Sequence, residues 1–423
     1  MYTLPKIERF NQNVLSKYHI YNSVFITLPF DAIDNTGVLL PLFSEVCDSG
    51  LKNNLTPVEI VNAFSQKYLD NVSESEKISL LFRFIQYVER QIVLFDAIED
   101  AAFPVVNNME GKGSLREVEE LADTKELKEE LLSFLEDFNV RTVLTAHPTQ
   151  FYPGSVLGII TDLTKAIRAN DLSIIKELLA QLGKTPFIKK EKPTPFDEAV
   201  SLLWYLENVF YQTSGEMIQY IQKNIFKDKP ISNSIINLGF WPGGDRDGNP
   251  FVTSEITLKV ANRLRTSILK CYYSDIRKLK RKLTFSGIDI IISEIENKLY
   301  RSVFYSNGEI YITLPELKNK LNQIKIMCSE NHQSLYLDAI TDLINKVNLF
   351  GFHFASLDIR QNSKVHNHVI KTLFDSFGSA QEDYKNYFEH SDSRRFELLS
   401  NLSQTISSDL ITDEITKQTI DSI

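Results

Sequence analysis

The chain has 423 residues, of which 43% are hydrophobic and 24% are charged, and its formal net charge is −9. This composition is typical of a globular protein and argues against a disordered or fibrous chain. The negative charge and the lack of a basic stripe disfavour a protein that binds nucleic acid.

The three cysteines, Cys47, Cys271 and Cys328, lie far apart in the sequence and form no CxxC pair. This spacing argues for a reducing compartment and against a structural zinc site. The N-terminus lacks a basic segment followed by an apolar one, and no apolar run reaches the ~18 residues of a membrane span. We therefore expect a cytoplasmic protein that has no membrane partner.

Residues 1–140 are predicted to form a helical N-terminal region. Thr56 and Glu59 have the spacing of a capping box, and Pro57 stands at the first helical position. Between residues 78 and 98, apolar residues recur every three or four positions, which predicts a helix with one buried face. The predicted face consists of Ile78, Leu81, Phe82, Ile85, Val88, Ile92 and Phe95.

Residues 141–423 combine short apolar strands with long helical stretches. Strands are predicted at residues 141–146, 235–240 and 351–360, and this alternation is typical of an α/β fold that is predominantly helical. A closed (β/α)8 barrel needs eight strands, whereas only three or four are recognisable here. Either further strands escape recognition, or the chain is part of a longer one.

His147 is the first candidate for chemistry. It follows the strand predicted at residues 141–146 and precedes Pro148, which disfavours a continuation into helix. Barrel and open α/β enzymes place catalytic side chains at such strand ends, and the histidine pKa of ~6.5 suits proton transfer near neutral pH. The alternative is that the imidazole caps a helix or donates to a carbonyl group.

Residues 239–253 form the most distinctive run. Its glycines permit a tight turn whose backbone N–H groups can bind an anion, and a surface turn is the alternative interpretation. A calcium loop of the EF-hand type is excluded because Pro250 and Ile256 stand where that loop needs glycine and glutamate. The candidate residues of this loop, for anion binding or for a structural role, are Gly243, Gly244, Asp245, Arg246, Asp247 and Asn249.

Arg360 lies at the end of the third predicted strand. An arginine at a strand end can bind phosphate or carboxylate with two hydrogen bonds, and the alternative is an ion pair with Asp358 or another acid. His366 and His368 are two residues apart, so one helix face does not present both of them. No metal site is therefore predicted in this chain.

Three segments together resemble the phosphoenolpyruvate carboxylase family. They are residues 143–150 (VLTAHPTQ), 239–253 (GFWPGGDRDGNPFVT) and 350–363 (FGFHFASLDIRQNS), in the order of the family and at a similar spacing. Residues 89–103 and 192–199 match the family less strongly. The resemblance spans most of the chain, and it implies that residues 141–423 form the first half of a (β/α)8 TIM-type barrel with many additional helices.

The resemblance implies a lyase that carboxylates phosphoenolpyruvate with bicarbonate, giving oxaloacetate and phosphate. Such an enzyme supplies the tricarboxylic acid cycle and fixes carbon dioxide. Family members are usually tetrameric and allosterically regulated, and they use Mg²⁺ or Mn²⁺. By position in the motifs, His147 matches the family's histidine that assists carboxylation, and Arg360 matches an arginine that binds the substrate's phosphate or carboxylate.

The sequence departs from the family in two places. Tyr152, Pro153 and Gly154 stand where the family usually has a pair of arginines, so whatever that pair supplies is in question. The family's metal ligands, mobile glycine-rich loop and inhibitor site lie in its second half, which the 423 residues do not include. We therefore expect the N-terminal half of such an enzyme, inactive alone.

Two other interpretations stay open. The chain could be a noncatalytic scaffold or regulatory half that assembles with a separate C-terminal polypeptide. Alternatively, it could be a different phosphoryl-transfer enzyme with a similar anion-binding loop, although no kinase or P-loop signature is present.

Overall fold

A computed structural model describes residues 4–27, 36–69, 72–145, 152, 154–187, 193–227, 235–247, 249–305, 310–376, 382–402 and 411–422. The chain divides into two compact units. Unit 1 comprises residues 1–117 and 149–192, and unit 2 comprises residues 118–148 and 193–423.

Unit 1 is built from helices. A π-helical turn, Asn11–Leu15, follows the first helix. Two later helices begin with capping boxes, whose N-cap residues are Thr56 and Ser73. The helices are α1 (Lys6–Phe10), α2 (Ser16–Thr27), α3 (Thr36–Lys52), α4 (Pro57–Tyr68), α5 (Glu74–Val106), α8 (Gly154–Ala169) and α9 (Leu172–Lys184), while α6 (Leu115–Thr124) lies at the boundary in sequence.

The helix predicted between residues 78 and 98 is confirmed as part of α5, but its predicted buried face is wrong for five of the seven residues. The side chains of Ile78, Phe82 and Ile85 are 53–55% exposed, and Val88 and Ile92 are about 40% exposed. A different stripe of the same helix, which includes Leu94 and Ile98, is buried against α2, α8 and α9. The helix carries apolar residues on more than one side, so the spacing alone did not identify the face that packs.

Unit 2 contains a small parallel sheet surrounded by helices, in agreement with the predicted α/β class. The strands are β1 (Val140–Leu144), β2 (Ile236–Phe240) and β3 (Ser356–Leu357), and β2 lies in the middle. The helices are α7 (Lys128–Asp137), α10 (Pro195–Tyr205), α11 (Tyr211–Tyr220), α12 (Ser254–Lys280), α13 (Ile288–Phe304), α14 (Leu314–Asn331), α15 (Leu337–Phe350), α16 (Ser363–Ser376), α17 (Glu382–Lys385), α18 (Asp392–Ser400) and α19 (Glu414–Ile420).

The core of unit 2 lies between one face of the sheet and the helices. Leu238 and Phe240 of β2 are buried in the same cluster as Val260, Ile268 and other residues of α12. Parallel strands joined through helices are the unit from which barrels and open α/β sheets are made. Among the residues that the structure describes, no helix is both long enough and apolar enough to span a membrane.

Candidate functional site

The three strands end at the same edge of the sheet. Because the strands are parallel, Leu144, Phe240 and Leu357 pair across their carboxyl ends. The ladder continues past the strands, where the Trp241 N–H donates to the Leu144 carbonyl at 2.9 Å and the Asp358 N–H donates to the Phe240 carbonyl at 2.9 Å. The segments that follow β2 and β3 are therefore held side by side.

Alternate residues place polar groups on the sheet face opposite the core. Arg141, Gly239 and Asp358 lie on this face, and the Arg141 guanidinium forms an ion pair with the Asp358 carboxylate. A methyl group on Gly239 would lie 3.2 Å from Nε of Arg141 and 2.9 Å from a methyl of Val143. Glycine at this position therefore leaves room for the arginine to cross β2 and reach Asp358.

Arg360 is fixed by two contacts at this edge. Its Nη1 donates to Oδ2 of Asp245 at 2.8 Å, and its Cζ lies 3.9 Å from the centre of the Trp241 ring. The Asp245 side chain is buried, whereas the Arg360 side chain is 40% exposed. The guanidinium therefore has a fixed position, with other N–H donors left for a ligand.

The contacts of Trp241 extend this arrangement to the first strand. Its Nε1–H donates to Oδ2 of Asp358 at 3.1 Å, and the other oxygen of Asp358 accepts from Arg141. Sequence reasoning did not single out Trp241 or Arg141, and it considered Asp358 only as an ion-pair partner of Arg360. Trp241 stands directly after a predicted strand, but its acceptor Asp358 lies 117 residues away in the chain.

The loop after β2 uses its backbone N–H groups within the protein. Those of Gly244 and Asp245 donate to the Trp241 carbonyl, and that of Arg246 donates to the Arg360 carbonyl at 2.8 Å. The Arg360 N–H in turn donates to the Gly244 carbonyl at 3.0 Å, which extends the parallel pairing by one bridge. These contacts favour a structural role for the loop over an anion cradle.

Two glycines of the loop are required by its packing. Gly243 has φ +81°, which favours glycine, and a methyl group there would overlap Val260 of α12. A methyl group on Gly244 would overlap the carbonyl oxygen of Asp358. The pair brings the loop against both α12 and the segment after β3.

The rest of the loop faces the C-terminal helix. Arg246 donates through Nη1 to the Gln418 carbonyl at 2.8 Å and to Oγ of Ser422 at 2.9 Å. Burial lowers the pKa of this guanidinium. Asp247 is exposed, and Asn249 accepts from the Phe251 N–H through Oδ1. The backbones of Arg246 and Arg360 are therefore hydrogen-bonded, but the two guanidinium groups have different partners.

His147 lies outside the described residues. Its strand, β1, ends at Leu144, three positions earlier, at the edge where Arg360 is held. His366 and His368 lie on α16, and Nε2 of His368 is 3.1 Å from Oδ2 of Asp413. Across the parts of the chain that the structure describes, no three His, Cys, Asp or Glu side chains are arranged to hold a metal ion.

Tyr152, one of the residues in the segment where the sequence departs from the family motif, lies in unit 1. Its hydroxyl is 3.4 Å from Oδ2 of Asp96, and its ring meets that of Phe187 edge-on. Burial and the carboxylate of Asp96 raise the pKa of Tyr152 to about 12. Its neighbours are therefore an acid and an aromatic ring, which give it no anion-binding character.

Comparison with known proteins places these residues in one family. The family model for phosphoenolpyruvate carboxylase matches residues 54–303 and 292–423. Phosphoenolpyruvate carboxylases of Shewanella sediminis (strain HAW-EB3) and Shewanella loihica (strain ATCC BAA-1088 / PV-4) are 27% identical to this chain over 64% and 62% of its length. That of Nitrosomonas europaea is 28% identical over 64%. The alignments cover only 35% of each relative's own length.

Proposed function

The chain belongs to the phosphoenolpyruvate carboxylase family, and from this premise we propose that it contributes to the carboxylation of phosphoenolpyruvate by bicarbonate. The chain would then be part of a carboxy-lyase, whose products are oxaloacetate and phosphate. Because the chain spans about a third of the length of the relatives it matches, the remaining part of the site would come from a further segment, on the same polypeptide or on a separate one.

The position of Arg360 is the observation that supports this proposal most. A phosphate or carboxylate group carries its charge on oxygens that match the paired donors of a guanidinium. The Asp245 carboxylate and the Trp241 ring fix Arg360 before a substrate arrives, so little conformational freedom is lost on binding. We propose that Arg360 binds an anionic group of phosphoenolpyruvate and stabilises the charge that develops during phosphoryl transfer.

We propose that His147 acts as the base of the carboxylation step. The reaction begins when bicarbonate attacks the phosphate of phosphoenolpyruvate, which gives carboxyphosphate and an enolate. His147 then takes the carboxyl proton of carboxyphosphate, which breaks down to CO₂ and phosphate, and the enolate adds to CO₂. The strand that precedes His147 ends at the edge where Arg360 is held, and this supports the assignment.

The proposal includes Mg²⁺ or Mn²⁺, which would neutralise charge on the phosphate and the enolate when bound. The described residues do not fit this metal, because no cluster of three acidic, histidine or cysteine side chains is formed by them. The roles proposed for Arg360 and His147 therefore do not pass through a metal. We also propose that residues 141–423 form part of a (β/α)8 barrel and that the assembled enzyme is a cytoplasmic tetramer.

The proposal can be tested by titrating the 423-residue chain with phosphoenolpyruvate in a calorimeter. Replacing Arg360 by Ala is expected to weaken binding about 10- to 100-fold, since a hydrogen bond to a charged group contributes about 1.5–3 kcal/mol. The matched control is Arg263→Ala on α12, which is expected to leave binding unchanged. Equal binding by Arg360→Ala and the unchanged chain would show that Arg360 is not part of the substrate site.

A second measurement addresses catalysis. We expect the 423-residue chain, given phosphoenolpyruvate, bicarbonate and Mg²⁺, to form no oxaloacetate without the remaining segment. Robust turnover that is lost in Arg360→Ala would support the carboxylase and overturn the idea of a partial site. A chain that binds no phosphoenolpyruvate but assembles with a separate polypeptide would instead support the scaffold alternative.

A further inference from the structure

A surface pocket of unit 2 has no role in the proposed reaction. It is about 600 Å³ in volume and lies on the surface formed by α12 and α13, with Tyr305 and Tyr311 after α13. This volume is in the range of pockets that hold small organic ligands. None of its lining residues belongs to the strands or to the segments that follow them.

Tyrosine rings form the walls of this pocket. Tyr273 and Tyr300 are 5.8 Å apart between ring centres, and Tyr300 and Tyr305 are also 5.8 Å apart. Tyr300 is 40% exposed and Tyr305 is 55% exposed. Partly exposed aromatic rings offer apolar surface to a planar group.

Among the described residues around the pocket, positive charge exceeds negative charge. Lys280 and Arg301 line it, and Arg277 lies over the Tyr273 ring at 5.7 Å. Of the described lining residues, Glu296 is the one carboxylate, and it is already bound by Lys280 at 2.5 Å and is 3.9 Å from Arg277.

Arg301 has no acidic partner among the residues that the structure describes. It stacks on the Tyr311 ring at 5.1 Å instead. In a chain of net charge −9, these three cations exceed the one carboxylate near them among the described residues, and such a local excess of positive charge favours an anion.

We propose that this pocket binds a nucleoside phosphate. The base stacks on the tyrosine faces, and the phosphate pairs with Arg301, whose N–H groups suit phosphate oxygens. A phosphorylated sugar could pair with the same cation, but it has no planar base to stack on the tyrosine rings.

The test uses calorimetric titration of the 423-residue chain with AMP. We expect saturable binding that is weakened roughly tenfold or more by Arg301→Ala, since a charge-assisted hydrogen bond is removed. Arg263→Ala on α12, outside the pocket, serves as the matched control and is expected to bind AMP like the unchanged chain. Adenosine and inorganic phosphate alone are each expected to bind at least tenfold more weakly than AMP.

A second pair of variants separates the ring from the hydroxyl. Tyr300→Phe keeps the stacking face and is expected to retain binding, whereas Tyr300→Ala is expected to weaken it severalfold. Thermal unfolding of each variant checks that the helix pair is intact. Absence of saturable AMP binding, no effect of Arg301→Ala, or equal affinity for glucose 6-phosphate would each overturn the proposal. None of these outcomes depends on Arg360 or on carboxylation.

Discussion

Asp96 shows how one half-buried carboxyl makes stability depend on pH. Burial raises its pKa, against the lowering effect of the hydrogen bond from Tyr152. An acid whose pKa is higher in the folded state stabilises that state least when it is ionised. Its unfavourable contribution is absent below the ordinary Asp pKa of ~3.9 and develops as pH rises through the folded pKa.

We therefore predict that Asp96→Asn gains stability relative to the unchanged chain as pH rises from about 4 to 7. Asn is neutral throughout and can still accept the Tyr152 hydrogen bond. Urea unfolding at several pH values, with the difference between the two curves plotted against pH, measures the effect. Asp162→Asn, at an exposed position, is the control and should give a flat difference; a flat difference for Asp96→Asn would contradict the prediction.

Lys346 is a buried, ion-paired residue of unit 2 whose replacement should be costly. It is 2% exposed, and its ammonium lies 2.8 Å from Asp342 and 3.5 Å from Asp275, over the ring of Tyr211. Removing one partner of a buried ion pair leaves an uncompensated charge, which costs about 3–5 kcal/mol.

Lys346→Met is accordingly predicted to lower the free energy of unfolding by about 3–5 kcal/mol, as measured by urea denaturation. The control is Lys223→Met, because Lys223 pairs with Asp338 at 2.7 Å in a solvent-exposed position. Exposed pairs contribute about 0–1 kcal/mol, so this variant should change little. Similar losses in the two variants would show that burial of Lys346 is not what makes its pairing important.

At the scale of elements, the loop after β2 depends on close backbone approach. Gly244→Ala places a methyl group on the Asp358 carbonyl, and neither backbone can yield without breaking the bridge between Asp245 and Arg360. Overpacking of this kind costs about 1–3 kcal/mol. We predict that loss in urea unfolding, together with weaker binding of phosphoenolpyruvate.

The contrasting variant is Gly158→Ala. Gly158 lies inside α8, and a methyl group there meets no atom within 4 Å. Alanine in a helix interior is favoured over glycine by about 0.5–1 kcal/mol, so a gain in stability is expected. A gain from Gly244→Ala as well would mean that the loop adjusts freely and does not fix Arg360.

The sequence predicted helices and strands well where they depend on residues that are close together in the chain. The capping box at Thr56 and the strands at residues 141–146 and 235–240 are confirmed, the strands within two residues of their bounds. The third strand, predicted at residues 351–360, is reduced to Ser356–Leu357. Helix α15 ends at Phe350. The residues that follow it, including Phe354 at φ +63°, pack into the core and do not form a strand.

Pairing across long separations could not be predicted. Arg360 was singled out with Asp358 as its first candidate partner, yet Asp245, 115 positions away, takes that role. Strand register decides which acid meets the arginine, and register depends on the whole sheet. Asp358 instead binds Trp241 and Arg141, so the polar contacts on this face of the sheet could be identified only from the structure.

At the scale of the whole molecule, each unit has its own hydrophobic cluster. Leu163 lies fully buried in a cluster of unit 1, and Ile292 lies fully buried in the cluster of unit 2. Units with separate cores can unfold as separate cooperative transitions. Two variants of similar cost, one in each core, therefore report on whether the chain behaves as one cooperative body.

We predict that Leu163→Ala and Ile292→Ala lower different transitions in scanning calorimetry. Each replacement should cost about 2–5 kcal/mol, because a cavity remains where a buried aliphatic side chain was removed. Leu172→Ala and Leu258→Ala, at positions more than half exposed, control for changes outside the cores. If both core variants shifted one common transition equally, the two units would fold as a single body, and variants of unit 1 such as Asp96→Asn would then also affect the stability of the Arg360 site in unit 2.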